Sequence, residues 1–231
     1  MGQDKPVYEA IPLPDRREIS DAEMLQEAES FLARMNTRHS IRDYSDRPVQ
    51  RAVIDTCIAA AGTAPSGANQ QPWHFVALAD PHMKARIREA AEQEEEKFYA
   101  GGGGDEWLAA LEPIGTDATK PHLTTAPWLI VIFAQRWGLR DGKRIKHYYV
   151  PESVGIATGV LITALHTAGL SCLTHTPNPM RFLNELCGRP ENEKPLMILA
   201  VGHPAEDATV PAVAKKKKQL SQIMTAFEGD H

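Results

Sequence analysis

Arg38-His39-Ser40-Ile41-Arg42 and Thr63-Ala64-Pro65-Ser66-Gly67-Ala68-Asn69-Gln70-Gln71-Pro72-Trp73 are the two stretches from which the fold can be read. The first sets two guanidiniums and a hydroxyl within five residues, and arginine suits planar, multidentate capture of a phosphate. The second is a loop of small residues that lets the backbone approach a flat ligand closely and offers unpaired amides as donors. Taken singly, a solvated helix end accounts for the first and an ordinary turn for the second. A helix separates them, because Val53, Ile54, Cys57, Ile58 and Ala61 make one apolar face over 49–61 before Gly62 to Gly67 break it.

Towards the N-terminus, residues 1–20 are polar, carry Pro6, Pro12 and Pro14 and show no sustained period, the pattern of an extended arm. Ser20 and Glu23 then form a capping box, and Met24, Ala28, Phe31, Leu32 and Met35 recur at helical spacing, so a helix is expected over 21–36. Beyond the loop, WHFVALA at 73–79 reads as a strand. Residues 81–99 are charged and helical, and Gly101 to Gly104 interrupt them sharply, so the segment up to about 123 reads as a mobile insertion of the kind that serves as a lid. WLIVIFA at 128–134, LSCLTHT at 170–176 and LMILAVG at 196–202 are short and apolar, and the first and last show no polar alternation, as central strands covered on both faces do. SVGIATGVLITALHTAG at 153–169 is apolar almost all round and fits a helix in a large core or a subunit interface. Interleaved helices and strands give an α+β class.

With 231 residues, 42% hydrophobic and 24% charged, the chain has enough apolar material for one sizeable core. Its net charge of −5 comes from interspersed signs, which leaves no general basic field for nucleic acid or anionic lipid and points to small molecules or a second copy as partners. Cys57, Cys172 and Cys187 are widely spaced with no CxxC pair, and each lies in or beside an apolar stretch, as reduced, buried thiols of a cytoplasmic protein would. The start lacks a signal-peptide pattern, Pro6 stands where a myristoylation motif wants Ser or Thr, and no run approaches the ~20 apolar residues of a membrane span. A soluble protein is expected. No Lys-Ser/Thr follows the glycine run, no HExxH or other metal spacing is present, and no GxSxG elbow occurs, so P-loop, metal and hydrolase chemistries are not expected. His147 and His166 read as packed or hydrogen-bonded core residues.

The RHSIR and APSGANQQPW pair resembles the nitroreductase superfamily. The likeness narrows to the iodotyrosine deiodinase group through EEEKFY at 94–99, Trp107, Lys120, TAPW at 125–128, KHYY at 146–149, GRPENEKPLMILAVGHP at 188–204, TVP at 209–211 and QIM at 222–224. This resemblance implies a nitroreductase-like α+β fold with a central, mainly antiparallel sheet flanked by helices, in an intertwined homodimer that binds FMN between its subunits. It implies an arm over 1–20, a single domain over 21–231, a lid over about 90–123 and a tail over about 205–231 that reaches the partner subunit.

By the same resemblance, Arg38, His39, Ser40 and Arg42 hold the FMN phosphate and ribityl chain, and Lys217 reaches that phosphate from the partner. Ser66 contacts the flavin ring and the Ala68 amide meets the phenolate oxygen of a halotyrosine. Thr174, His175 and Thr176 lie beside the isoalloxazine, with the Thr176 hydroxyl near N5, where a hydrogen bond favours one-electron chemistry. Glu95 takes the substrate ammonium, Lys120 its carboxylate, and Tyr99 adds a hydrogen bond and cover. The implied activity is reductive dehalogenation of 3-iodo-, bromo- or chlorotyrosine to tyrosine and halide, with NAD(P)H or a partner reductase restoring reduced FMN. A generic nitroreductase or quinone reductase working by two-electron hydride transfer is the first alternative, and a flavin-binding protein without turnover the second.

Overall fold

A computed structural model of the chain describes residues 8–229, so the first seven residues of the expected arm and the last two of the expected tail lie outside the described residues. The chain divides into two units, one ending at Thr37 and one beginning at Arg38.

In the first unit the expected helix forms as α1, Asp21–Asn36. The Ser20 hydroxyl accepts from the Glu23 amide at 3.3 Å and the Glu23 carboxylate accepts from the Ser20 amide at 2.8 Å, so two helix-start donors are satisfied reciprocally. Arg17 and Glu27 pair at 2.8 Å. No residue of α1 is buried, and Met24, Leu25, Phe31 and Leu32 are all exposed.

The second unit runs α2 (Arg51–Gly62), β1 (Trp73–Leu78), α3 (Pro81–Lys97), α4 (Asp105–Leu111), α5 (His122–Thr125), β2 (Trp128–Gln135), β3 (Trp137–Arg140), β4 (Lys143–Lys146), α6 (Val150–Thr167), β5 (Ser171–His175), α7 (Phe182–Leu186) and β6 (Glu193–Gly202). Four strands form an antiparallel sheet in the order β1-β2-β6-β5, with Val131 opposite Val76 on one side and Ile198 on the other. This is the antiparallel sheet flanked by helices that the sequence implies.

Successive side chains of a strand point to opposite faces, and both faces of β2 are packed. Ile130, Ile132 and Ala134 join Ile54 and Cys57 of α2 and Val154 and Leu161 of α6 in one core. Leu129, Val131 and Phe133 join Ile87 and Ala91 of α3 and Leu183 of α7 in the other. Burial of each such Leu, Ile or Phe contributes about 1.5–3 kcal/mol, which is why β2 and β6 read as unbroken apolar runs. Ser40 bridges to Cys172 of the edge strand β5, so the RHSIR segment lies along the sheet's free side. Tyr44, buried, donates to the Ala200 carbonyl at 2.8 Å and fixes where that segment ends.

Three features depart from the sequence reading. The glycine run is a joint between two helices: α3 continues into a π-helical turn at Phe98–Gly102, and Gly101 and Gly104 take φ of +118° and +73° before α4 begins. The β3–β4 hairpin was not anticipated, although Asp141-Gly142 with φ of +53° and +73° is the two-residue turn that twisted hairpins favour. Cys187 is half-buried, unlike Cys57 and Cys172. No helix among the described residues is long and apolar enough to cross a membrane.

Lys84 of α3 ties the lower helical layer to the sheet. It is buried, and its ammonium donates to the carbonyls of Ala126 at 2.7 Å and Thr124 at 3.2 Å, at the end of α5 and the approach to β2. Burial pushes its pKa down. Lys84→Met is expected to lower stability by about 1–3 kcal/mol, because those carbonyls lose their donor; urea unfolding of the variant beside the parent measures it.

Candidate active site

Glu95 and Tyr99 project from consecutive turns where α3 enters its π-helical end, and Lys120 stands just before α5, where the segment expected to act as a lid returns. The return is fixed by Glu92, whose carboxylate accepts from the Lys120 amide at 2.6 Å and from Arg88 at 2.8 Å, while Arg88 also reaches the Thr124 hydroxyl at 3.0 Å. The Lys120 ammonium therefore arrives 3.1 Å from Glu95, with side-chain exposures of 4% and 13%. It also donates to the Thr116 hydroxyl at 3.0 Å and to the Asp117 carbonyl. Tyr99 donates to the Thr116 carbonyl at 3.0 Å, and burial raises its pKa. Phe98 stacks edge-on against both Tyr99 and Trp107, which makes an aromatic cover.

β5 supplies the opposite wall. His175 falls on the same face as Leu173, under α3, while Thr174 and Thr176 stay exposed at the sheet edge. Together with Arg42 these residues enclose a cavity of about 170 Å3 that also receives Phe98, Trp107 and His122. Seven of the residues singled out in the sequence, Arg42, Glu95, Tyr99, Lys120, Thr174, His175 and Thr176, thus meet in one place. A larger cleft of about 680 Å3 between α7 and the start of β6 shares only Asn178 with it and takes none of them.

The remaining candidates lie elsewhere in a single chain. Arg38, His39 and Ser40 lead into the cavity along β5, and neither Arg38 nor Arg42 has a carboxylate partner among the described residues. Two half-buried guanidiniums without counter-ions are a fitting cradle for a phosphate dianion. Ser66 and Ala68 sit on a separate loop against the segment that enters α6. The Ser66 hydroxyl accepts from the Gln71 amide at 2.9 Å, and a side chain at Gly67 would meet the Tyr148 carbonyl at 2.9 Å. Ala68 takes φ of +50° and its amide is bonded to no group among the described residues. Lys217 is exposed and donates to the Ala214 carbonyl at 2.8 Å.

His122 was missed in the sequence, where only its place beside Lys120 could have marked it. Its ring meets that of His175 edge-on at 5.3 Å, and the Nε2 atoms of both are buried without a partner among the described residues. Burial, then the neighbouring His122, Lys120 and Arg42, lower the pKa of His175 to about 3. Burial, then Lys120, Arg42 and Arg88, lower that of His122 to about 4 against the opposing pull of Glu92. The 3.9 Å approach of His175 to Glu95 is therefore a contact with a neutral imidazole rather than an ion pair.

The sequence model of the nitroreductase family matches residues 35–203. An iodotyrosine deiodinase of Haliscomenobacter hydrossis is 49% identical over 203 residues, 87% of this chain and 91% of that one. The chain belongs to the nitroreductase family, in its iodotyrosine deiodinase group. An iodotyrosine deiodinase of Danio rerio is 46% identical over 209 residues, with 90% of this chain and 70% of that protein covered. Among solved structures, an oxidised iodotyrosine deiodinase bound to FMN and 3-iodo-L-tyrosine superposes with a TM-score of 0.71 at 26% identity, over 87% of this chain and all of that one. A BluB-like flavoprotein of Clostridium difficile, at 18% identity over 85% of this chain and 98% of its own, shares the fold with a TM-score of 0.63.

The two buried histidines set an acid limit on this member of the group. An unfolded histidine takes up its proton near pH 6.5, whereas the folded chain leaves His122 and His175 neutral down to about pH 4 and 3. Below pH 6.5 the unfolded chain binds protons that the folded chain does not, so stability is full above that pH and falls as the pH drops towards 4. The urea midpoint is expected to drop between pH 7 and pH 5, and to drop less in His175→Asn.

Proposed function

We propose that the chain is an FMN-dependent oxidoreductase that reduces 3-iodotyrosine, and its bromo and chloro counterparts, to tyrosine and halide. The observation that carries this reading is the Glu95–Lys120 pair, two opposite charges 3.1 Å apart, nearly buried beneath aromatic cover. A free amino acid presents an ammonium and a carboxylate, whereas a nitroaromatic or a quinone presents neither. Where this pair meets a zwitterion, Glu95 takes the ammonium and Lys120 the carboxylate, so one buried ion pair becomes two and no charge is stranded. Tyr99 offers its hydroxyl and ring over the head group, and closure of the cover excludes water from the ring.

FMN fits the donors that stand without counter-ions among the described residues: Arg38 and Arg42 for its phosphate, with His39 and Ser40 for the ribityl chain. Ser66, Thr174, His175 and Thr176 serve its ring, with the Thr176 hydroxyl as a hydrogen-bond donor. Bound FMN supplies the electrons that replace the carbon–halogen bond with carbon–hydrogen, and NAD(P)H or a partner reductase restores them. The free Ala68 amide is suited to hold the phenolate oxygen, which lowers the cost of the anionic ring form.

A second copy brings the Ser66–Ala68 loop to the cavity in this reading, and Lys217 to the phosphate. The outward face of α6 supports it: side chains at Gly155 and Gly159 would meet nothing within 4 Å in the single chain, and Ile156 between them is 47% exposed. Two glycines in a helix cost about 1 kcal/mol each relative to Ala, and no contact among the described residues requires them. They leave room for a second helix. The exposed Leu220, Ile223, Met224 and Phe227 of the tail add apolar surface for the same partner. Three free cysteines agree with a reducing, cytoplasmic setting.

Anaerobic reduction of the FMN-bound protein with dithionite, followed by 3-iodotyrosine, is expected to give one tyrosine per flavin. Glu95→Gln and Lys120→Ala are each expected to weaken iodotyrosine binding about a hundredfold or more, since removal of one partner strands the other. A flavin that stays reduced with iodotyrosine but is reoxidised by nitroaromatics or quinones would overturn the reading in favour of a two-electron reductase. Gly159→Leu is expected to shift the protein from dimer to monomer in sedimentation and to release its flavin.

A further inference from the structure

The chain carries a net charge of −5, yet two stretches concentrate the opposite sign, Lys215 to Lys218 of the tail and the β3–β4 hairpin, and only the hairpin sets its cations around aromatic and apolar side chains. Arg136, Arg140, Lys143, Arg144 and Lys146 lie on or beside the β3–β4 hairpin, all are exposed, and Asp141 is the one acidic residue between them. None of the five forms an ion pair among the described residues. Arg140 and Lys143 face one another across the ladder, a placement that costs a two-stranded ribbon stability. Arg144 lies 3.8 Å from the centre of the Trp137 ring, which holds its guanidinium in place. Leu139, opposite Arg144, is 70% exposed and puts an apolar spot inside the charged rim.

The ribbon is anchored at its root. His147 Nδ1 contacts the Gln135 carbonyl at 2.9 Å. Gln70 donates to the Lys146 carbonyl at 3.1 Å and accepts from the Tyr148 amide at 2.8 Å. The hairpin is thereby fastened to the Ser66–Gln71 loop, whose Ser66 and Ala68 are the contacts proposed for the flavin ring and the phenolate. Each exchange of C–I for C–H takes up two electrons and one proton and releases iodide, and those electrons come from outside the chain.

We propose that this hairpin docks a small acidic electron-carrier protein of the flavodoxin or ferredoxin class, through which electrons reach the site. Two one-electron carriers, each oxidised by one electron, serve one turnover, and the proton comes from water. The proposal rests on the dehalogenase reading. A protein fits better than a dinucleotide because the cations point to both sides of a projecting ribbon, Arg140 and Lys143 to one and Arg144 and Lys146 to the other, around an exposed apolar residue.

The probe is photoreduced flavodoxin, mixed anaerobically in stopped flow with the FMN-loaded protein and with Arg140→Glu/Lys143→Glu, at low and high salt. Binding of oxidised flavodoxin is measured by calorimetry alongside. The expected result is reduction that slows with salt, and a double variant about tenfold slower and weaker-binding at low salt. Arg140→Gln/Lys143→Gln falls between, and every form reduced by dithionite still converts iodotyrosine in a single turnover. Equal rates and equal affinities in parent and variant, or rates indifferent to salt, overturn the proposal. So does a variant that loses only its binding to phosphatidylglycerol vesicles, since the hairpin then serves a lipid surface. Failure of the single turnover in the parent protein counts against the dehalogenase reading alone, because flavodoxin binding and its salt dependence are read separately.

Discussion

The two central strands, β2 and β6, have no face to give to water. With Leu129 to Phe133 and Ile198 to Val201 all fully buried, every side chain on either side of the sheet must meet another element. That constraint places α2 and α6 on one face and α3, α5 and α7 on the other, and it decides where functional groups can stand. α3 must lie across the sheet to cover Val131 and Phe133, so its C-terminal end overhangs the edge strand β5. The segment proposed as a lid is that overhang, and beneath it lies the end of β5. The position of Glu95 above His175 therefore follows from packing, before any requirement of a ligand enters.

Electrostatics then separates groups that are satisfied from groups that wait. Lys84 and Glu193 are buried charges with full sets of partners: carbonyls for the first, and Arg189 at 2.7 Å with Gln135 at 3.0 Å for the second. Those belong to the architecture. Among the described residues the half-buried Arg38 and Arg42 lack counter-ions, and two buried imidazoles lack partners for Nε2. Buried or half-buried polar groups left open in this way are costly in an isolated chain, and most of them cluster beside one cavity. The Glu95–Lys120 pair is intermediate, since each charge satisfies the other.

Much of the fold was legible because burial on both faces leaves a plain trace. The four strands and the helices α1, α2, α3 and α6 show as apolar runs or helical spacing within a few residues of their observed bounds. The hairpin escaped because WGLR and KRIK are too short and too polar for an apolar period, although Asp141-Gly142 between them carried a turn signal. α4 escaped because it follows the glycines that seemed to end helical structure. For the site, Arg42, Glu95, Tyr99, Lys120 and the Thr174–Thr176 strand end were identified from matched motifs, and the chain folds them together. His122 was not, because a single histidine beside a lysine has no spacing to recognise; its proximity to His175 arises from two segments 53 positions apart, brought together only in three dimensions. Ser66, Ala68 and Lys217 were named from the same motifs and do not reach the cavity within one chain.

Because Glu95 and Lys120 already neutralise one another, a ligand that brings one charge alone gains nothing from them. An amine would draw Glu95 away and strand Lys120; a carboxylic acid would do the reverse. In either case a desolvated charge is left behind, and the closed state is worse than before. In the proposed function the pair acts as a logical conjunction, open only to molecules that carry both groups at the spacing of an α-amino acid. Selectivity of this kind comes from the state of the empty protein rather than from the strength of any single contact, so even a weakly bound zwitterion is told apart from its decarboxylated or deaminated counterpart.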